Sequence, residues 1–427
     1  MRYRWTALLL VLLTACGGGG GGGSAGLVGE RVEVLASWSG AEADRFGLVL
    51  REFERRTGAV VRYTSARNRV PDELAARLAA GDPPDVAVLP QPGLLRELAQ
   101  AGDLVPLDAP TRALVRDTFP AAFQELGSSA GRLYGVWFKA ADKSLVWYDV
   151  ATFERLGEVA PGDLDGLMAL ADRLAVAGVP AFSASAQDGW TLTDWFENLY
   201  LREAGGQAYD DLAAHRTPWT APSVVAALAQ LERLLAPEHL AGGTAGALST
   251  GFEDSVAAVF ARPPRAAMVV EADFVAGVVT SRTDAELGID ADVFAFPAGA
   301  SGEPGLVAGG DVAVLTRPSE AGAALMRFLA TPEAAEPWAR AGGFLSPNLL
   351  LDLDAYGDPV ARAVARQVLE AGDGLHFDLS DLQPAAFGSA EPVGLRAELR
   401  ELLVHRDPVR TAERLEAAAD RAFAGAS

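Results

Sequence analysis

The run from Arg31 to Leu89 constrains this chain most, because it reads as strand, helix, strand, helix, strand. Arg31-Val-Glu-Val-Leu-Ala36 alternates and is β-branched enough for a first strand. Phe46, Val49, Leu50 and Phe53 then fall on one helix face, Gly58 stops that helix, and Ala59-Val-Val-Arg-Tyr63 makes a second strand. Leu74 and Leu78 with their alanines predict another helix, Gly81-Asp-Pro-Pro84 breaks it, and Asp85-Val-Ala-Val-Leu89 is a continuous apolar strand. Such an alternation is satisfied by a parallel sheet wound by crossovers, with helices on its faces. In sheets of this kind ligands gather beyond the carboxyl ends of the strands, which is where Trp38, Arg67 and Gln91 fall.

A chain of 427 residues exceeds what one hydrophobic core usually serves, so two domains are expected. The formal charge of -21 argues against binding nucleic acid, or an acidic membrane face, through a basic patch. At the N-terminus Arg2 and Arg4 precede an apolar stretch, Thr6 to Leu13, that is too short to span a bilayer. Leu13-Thr14-Ala15-Cys16 resembles a bacterial lipobox, which implies a signal peptide over 1–15 and a lipidated Cys16 as the first mature residue. The alternative is a secretory signal with a chance cysteine. Gly17 to Gly23 open a flexible tether that reaches residue 29. Cys16 is the only cysteine, so no intramolecular disulfide can form although the compartment is read as extracytoplasmic.

Aromatic and charged residues concentrate at a few places. Gly189 to Tyr200 holds Trp190, Trp195, Phe196 and Tyr200 beside Thr193, Asp194 and Asn198. Thr193 or Asp194 can cap a helix on which Leu192, Phe196, Leu199 and Tyr200 share a face; Trp190 then lies before the helix and Trp195 beside that face. Both indoles suit a polyhydroxylated ligand, and both equally suit a core. The chain has 34 arginines and two lysines, Lys139 and Lys143, both in the aromatic segment Tyr134 to Tyr148. A compact ammonium fits where a guanidinium fork does not, although solvated strand ends would explain the pair as well. Ala266 to Val270 is a buried strand ending in Glu271-Ala-Asp273-Phe274, and Gly309-Gly310-Asp311 opens another. Glycines there suit close backbone approach, by a ligand or by a neighbouring strand.

Several motifs carry no chemistry. Gly127-Ser-Ser-Ala-Gly131 has the spacing of a nucleophile elbow without the strand-to-helix context, and is expected to be a turn. Asp352 to Gly357 mimics a calcium loop but has Tyr356 and Ala363 where oxygen ligands belong. The histidines at 215, 239, 376 and 405 lack metal-ligand spacing, and no phosphate loop or dinucleotide fingerprint appears, so neither metal nor cofactor is expected. Carboxylates abound, and a glycosidase pair among them stays open at this stage.

The lipobox, Trp38 to Gly58, Asp85-Val-Ala-Val, Lys139 to Tyr148, Gly189 to Gly206 and Gly309-Gly310-Asp311 through Ser346-Pro347-Asn348 together resemble family 1 extracellular solute-binding proteins of ABC importers. The similarity is greatest to the alpha-glucoside binders and spans essentially the whole mature chain. It implies an α/β, two-lobed periplasmic-binding-protein-like fold of type II topology, with residues 30–144 and 311–350 in one lobe and 145–308 and 355–427 in the other. It also implies a monomer that closes on a small carbohydrate and is read in that state by the membrane permease. By the same resemblance Trp38, Trp195 and Phe196 or Phe274 stack on sugar faces, and Trp190 joins them as a candidate from its own place in the aromatic stretch. Glu42, Arg67, Gln91, Lys139, Asp194, Glu271, Asp273 and Asp311 supply hydrogen bonds beside Gly309 and Gly310, with solvated or lobe-bridging ion pairs as the alternative for the charged ones. The loop Leu89-Pro-Gln-Pro lacks the tryptophan of the maltose-binding branch, which speaks against a maltodextrin preference.

Overall fold

The computed structural model describes residues 26–303, 305–389 and 392–425; the expected signal peptide, Cys16 and the glycine run of the tether lie outside the described residues. Eleven strands are described: β1 (Arg31–Ala36), β2 (Val60–Ser65), β3 (Val86–Leu89), β4 (Ser128–Ser129), β5 (Arg132–Leu133), β6 (Gly135–Asp142), β7 (Leu145–Asp149), β8 (Met268–Val270), β9 (Ala291–Ala295), β10 (Leu306–Leu315) and β11 (Leu375–Phe377). β2, β1 and β3 run parallel in that spatial order, and β10 follows antiparallel to β3. The first three strands are those expected from the alternation in the sequence. Between β1 and β2 the helix Gly40–Thr57 buries Phe46, Val49, Leu50 and Phe53 and ends at Gly58, whose φ of 76° admits the left-handed turn. Ser128 to Leu133 forms the small β4–β5 hairpin, a turn rather than an elbow.

A second, three-stranded antiparallel sheet has the order β8-β7-β9. The chain passes between the two sheets at two adjacent places. β6 ends at Asp142, and Lys143-Ser144 leads straight into β7. Returning, β10 pairs with β11 through Leu306 to Ala308 and with β3 through Val312 to Leu315. Gly309, Gly310 and Asp311 stand between these two partners and are held along the other edge by β6, with a bulge after Asp311. Here the glycines serve the neighbouring strand. A Cβ on Gly310 would lie 2.3 Å from the Lys139 carbonyl oxygen, and one on Gly309 would lie 2.7 Å from Lys143 Cε.

Two hydrophobic clusters fill the molecule. The first joins the six-stranded sheet to the face of the smaller sheet that presents Leu145, Trp147 and Val269. The second gathers Trp195, Phe196, Trp219 and the C-terminal helices Leu395–His405 and Pro408–Gly425. Residues after the expected division at 355 divide between the two clusters. Tyr356, Val360, Val364, Val368 and Phe377 bury in the first cluster, and β11 pairs with β10; only from Leu379 onward does the C-terminal segment enter the second. The reason is pairing. The lower end of β10 has an open edge that a later strand must cover.

Candidate ligand-binding cleft at the lobe crossings

Lys139 and Asp311 sit opposite each other on β6 and β10, and around them the predicted Trp38 and Glu42 of the first lobe converge. Lys139 Nζ donates to Glu42 Oε1 at 2.6 Å, and Trp38 Nε1 donates to Asp311 Oδ2 at 3.2 Å. The ammonium also lies 5.0 Å from the Phe274 ring centroid and 5.5 Å from that of Trp338, one ring from each lobe. Burial opposes the Lys139 charge, but Glu42, Asp311 and Asp273 outweigh it and raise its pKa above 10.5. Burial pushes the Asp311 carboxyl up to about 6 and that of Asp273 up to about 7, against the pull of Lys139.

A second constellation lies one turn of pleat further along. Lys143 Nζ donates to Asp194 Oδ1 at 2.9 Å and to Asp378, and stands 5.7 Å from the Trp190 centroid. Asn198 locks the crossing by donating to the Lys143 carbonyl at 2.8 Å, while Ser144 Oγ donates to Asn198 Oδ1 at 2.6 Å. Glu197 accepts from the Leu379 and Ser380 backbone N–H groups and from the Tyr209 hydroxyl. Oxygens of Asp194, Glu197 and Asp378 come within 4.8 Å of one another, close enough to suggest a metal. The Lys143 ammonium already bridges two of the three, and Glu197 is taken up by its donors. Despite its burial, Asp378 is held below the usual carboxylate range by Lys143 and by its bonds to Ser380 and Asp381. Asp194 is raised to about 7, and Glu271 and Asp381 well above their ordinary values, by burial and then by their acidic neighbours.

Between these groups, carboxylate oxygens are left over. Asp142 Oδ2, Asp194 Oδ2, Asp273 Oδ2 and both oxygens of Glu271 are buried without a donor among the described residues. Glu271 and Asp194 are near enough that a proton on one is held by the other. Beside them Trp190, Phe252 and Phe274 form a half-buried trio with centroids 5.4 to 6.1 Å apart. The lobes touch on this side. Arg45 Nη2 donates to Thr280 Oγ1 at 3.0 Å, and Gly343 meets Gly277 so closely that a Cβ would lie 2.9 Å from its Cα.

Other predicted residues lie elsewhere. Trp190 is not before its helix but is the first residue of Trp190–Ala204, with Gly189 as N-cap, so Thr193 and Asp194 sit inside it. That helix is buried from Thr191 to Arg202. Trp195 packs edge-on against Phe182 at 5.0 Å and Phe296 at 6.4 Å. Phe196 stacks on Tyr200 and Trp219. Both belong to the second core cluster, so neither presents a face for stacking; the apolar interior of the lobe claims them. Trp38 is 3% exposed and wedged at 4.7 Å from Phe46 and 4.8 Å from Trp338, which leaves its N–H rather than its face for the site. Arg67 stands exposed after β2 and bonds to no described member of either network. Gln91 is buried at the end of β3 with its Oε1 unpaired, next to the helix turn that abuts residues 381–383.

Lys143, Asp142, Asp378, Asp381 and Trp338 were missing from the predicted site. The alternation Phe377-Asp378-Leu379-Ser380-Asp381-Leu382, acids between apolar residues, is the signal that points to the two C-terminal ones. A surface groove of about 550 Å³ lined by Pro106, Arg112, Arg116, Gln124 and Arg132 lies apart from both networks on the first lobe. No carboxylate lines it.

Two lobes linked by three crossings of the chain, with orphaned acids and aromatic rings near them, match known proteins. Residues 41–336 match the family described as bacterial extracellular solute-binding protein. This chain belongs to that family. It is 32% identical over 379 residues to the alpha-glucosides-binding periplasmic protein AglE of Rhizobium meliloti, covering 85% of this chain and 82% of that one. It is likewise 32% identical over 368 residues to the osmoprotective compounds-binding protein GgtB of Synechocystis, covering 84% and 86%. Among solved structures, the bacterial solute receptor AcbH, described as having an exclusive preference for β-D-galactopyranose, superimposes with a TM-score of 0.81 at 20% identity over 92% of this chain and 99% of its own. The solute-binding protein described here is therefore two-lobed and extracytoplasmic, and its relatives bind solutes rather than transform them.

Proposed function

We propose that this solute-binding protein captures a small neutral carbohydrate between its lobes and delivers it to the membrane permease of an ABC importer. The ligand we infer is an alpha-glucoside such as trehalose, maltose, sucrose or a glucosylated osmolyte. The observation that carries this reading is the set of buried carboxylate oxygens at Asp142, Asp194, Asp273 and Glu271 that lack donors. A buried acceptor left unmatched costs about 1–3 kcal/mol, and hydroxyl groups are the donors that match it. The half-buried Trp190, Phe252 and Phe274 offer apolar faces to the C–H side of a sugar ring, and Lys139 and Glu42 stand within the same space. Of the two 32% identical relatives, one is named for binding alpha-glucosides and the other for binding osmoprotective compounds, which supports this range of ligands.

A panel of di- and trisaccharides and polyols in a thermal-shift assay tests this. A ligand at about a hundred times its Kd adds roughly 2.7 kcal/mol to stability. A melting temperature unmoved across the panel speaks for an adhesin or scaffold instead. Sugar cleaved catalytically during the incubation identifies a carbohydrate-active enzyme. The attachment we infer is a diacylglycerol on Cys16, with the chain acting as a monomer; labelled-lipid incorporation that persists in Cys16→Ser removes the anchor.

A further inference from the structure

We propose that His215, Glu416 and Asp420 form a binding site for a divalent transition-metal ion, with Zn²⁺ the species that imidazole and carboxylate donors suit best. The site lies in the second lobe, its hydrogen bond and ion pairs among the described residues reach no member of either cleft network, and the proposal does not depend on what the cleft binds. His215 follows the helix Gly206–Ala213, its backbone N–H donating to the Leu212 carbonyl at 3.0 Å. Glu416 and Asp420 are one turn apart on the C-terminal helix Pro408–Gly425, so both carboxylates leave the same face.

The spacing is that of a coordination shell. His215 Nε2 lies 3.4 Å from Glu416 Oε1 and 4.0 Å from Asp420 Oδ1, and one donor atom from each residue lies within 4.8 Å of the others. Ligand atoms at about 2.0–2.1 Å from a tetrahedral Zn²⁺ stand about 3.3–3.5 Å from one another, so only Asp420 must move inward. Asp420 can move, since its side chain is 66% exposed. The other two are held. Glu416 Oε2 accepts from the Trp219 backbone N–H at 2.5 Å, which turns Oε1 toward the imidazole, and the His215 ring packs at 4.7 Å against Phe423. Outer partners of this kind orient first-shell ligands in metal sites. His239, His376 and His405 each meet a single carboxylate, Asp172, Asp210 and Glu401 respectively, so among the described residues His215 is the histidine with two. A bound ion would tie the C-terminal helix to the loop before Trp219.

Calorimetric titration of ZnCl₂ into chelator-treated, tag-free full chain tests the site. The expected result is one equivalent bound with micromolar or tighter Kd, a melting temperature raised by Zn²⁺ and restored by chelator, and affinity lowered at least about tenfold in both His215→Ala and Asp420→Asn. Circular dichroism checks folding, and the exposed Asp420→Asn carries the test if His215→Ala does not fold. Absence of saturable binding overturns the proposal. So does one-equivalent binding that the folded variants retain, because the ion would then reside on another histidine–carboxylate pair.

Discussion

Lys139 lies on β6 and Lys143 four residues on, in the link just after it, yet their surroundings differ. Lys143 stands between two carboxylates, Asp194 and Asp378, that accept its hydrogen bonds; Asp378 is held below the usual carboxylate range, and its charge helps to raise the neighbouring Asp194, Glu197 and Asp381. Lys139 faces aromatic rings from both lobes and a single ion-pair partner, Glu42, whose side chain is 35% exposed. Its other acidic neighbours, Asp273 and Asp311, titrate close to neutrality and can go uncharged without it. A buried ammonium held by two buried carboxylates ties the crossing together, whereas one with a single partly exposed carboxylate and two rings beside it is the candidate to meet a ligand.

The largest effect expected is at Lys143. Lys143→Met leaves Asp378 and Asp194 buried and unpaired, and apo stability in denaturant should fall by about 3–5 kcal/mol. A loss below about 1 kcal/mol would break the comparison, since Lys143 would then be no more structural than Lys139. Trp195→Ala comes next and tests the boundary between core and cleft on the helix Trp190–Ala204. Truncating this buried indole should cost about 3 kcal/mol or more of apo stability, with sugar affinity per folded molecule preserved. Weakened binding with an unchanged melting temperature would return Trp195 to the site.

Lys139→Met sharpens the contrast from the other side. Sugar affinity is expected to drop about tenfold, or 1.4 kcal/mol, in isothermal titration, while the apo melting temperature changes less than in Lys143→Met.

The smallest effect is a pH dependence of binding. Asp194 and Asp273, raised to about 7, and Asp311, raised to about 6, hold protons in the folded protein that an unfolded chain releases near 3.8. These three groups therefore favour the folded state less and less as pH rises from about 4 to 7. Hydroxyl donors stabilise the ionised carboxyls, so sugar should bind with proton release, its affinity rising a few-fold up to about pH 7 and then levelling. Calorimetry in buffers of different ionisation enthalpy reads this directly; proton uptake on binding would mean that the carboxyls act as donors instead.

Much of the first lobe was legible in advance because its signals are local. Alternation in Arg31–Ala36, the helical stripe through Phe53 and the left-handed stop at Gly58 all act within a few residues, and the structure has each of them. The aromatic stretch was read less well. Trp190 and Trp195 are alike in composition and five residues apart, and local pattern does not reveal that one meets Phe274 while the other meets Phe182 and Phe296. Asp378 and Asp381 were invisible as site residues for a related reason: they reach Lys143 across more than two hundred residues of chain.

By itself, the sequence determined the alternation of strands and helices, the membership of a family whose chains fold as two lobes, and the gathering of both lysines in one aromatic segment. These follow from side-chain periodicity and residue chemistry, which neighbours in the chain suffice to set. Tertiary structure alone decided which aromatics are core, which glycines yield to a neighbouring backbone, and which carboxylates keep a partner. Those outcomes depend on desolvation and on donors supplied from distant segments. They exist only once β10 has crossed between the lobes and brought Asp311 to Lys139.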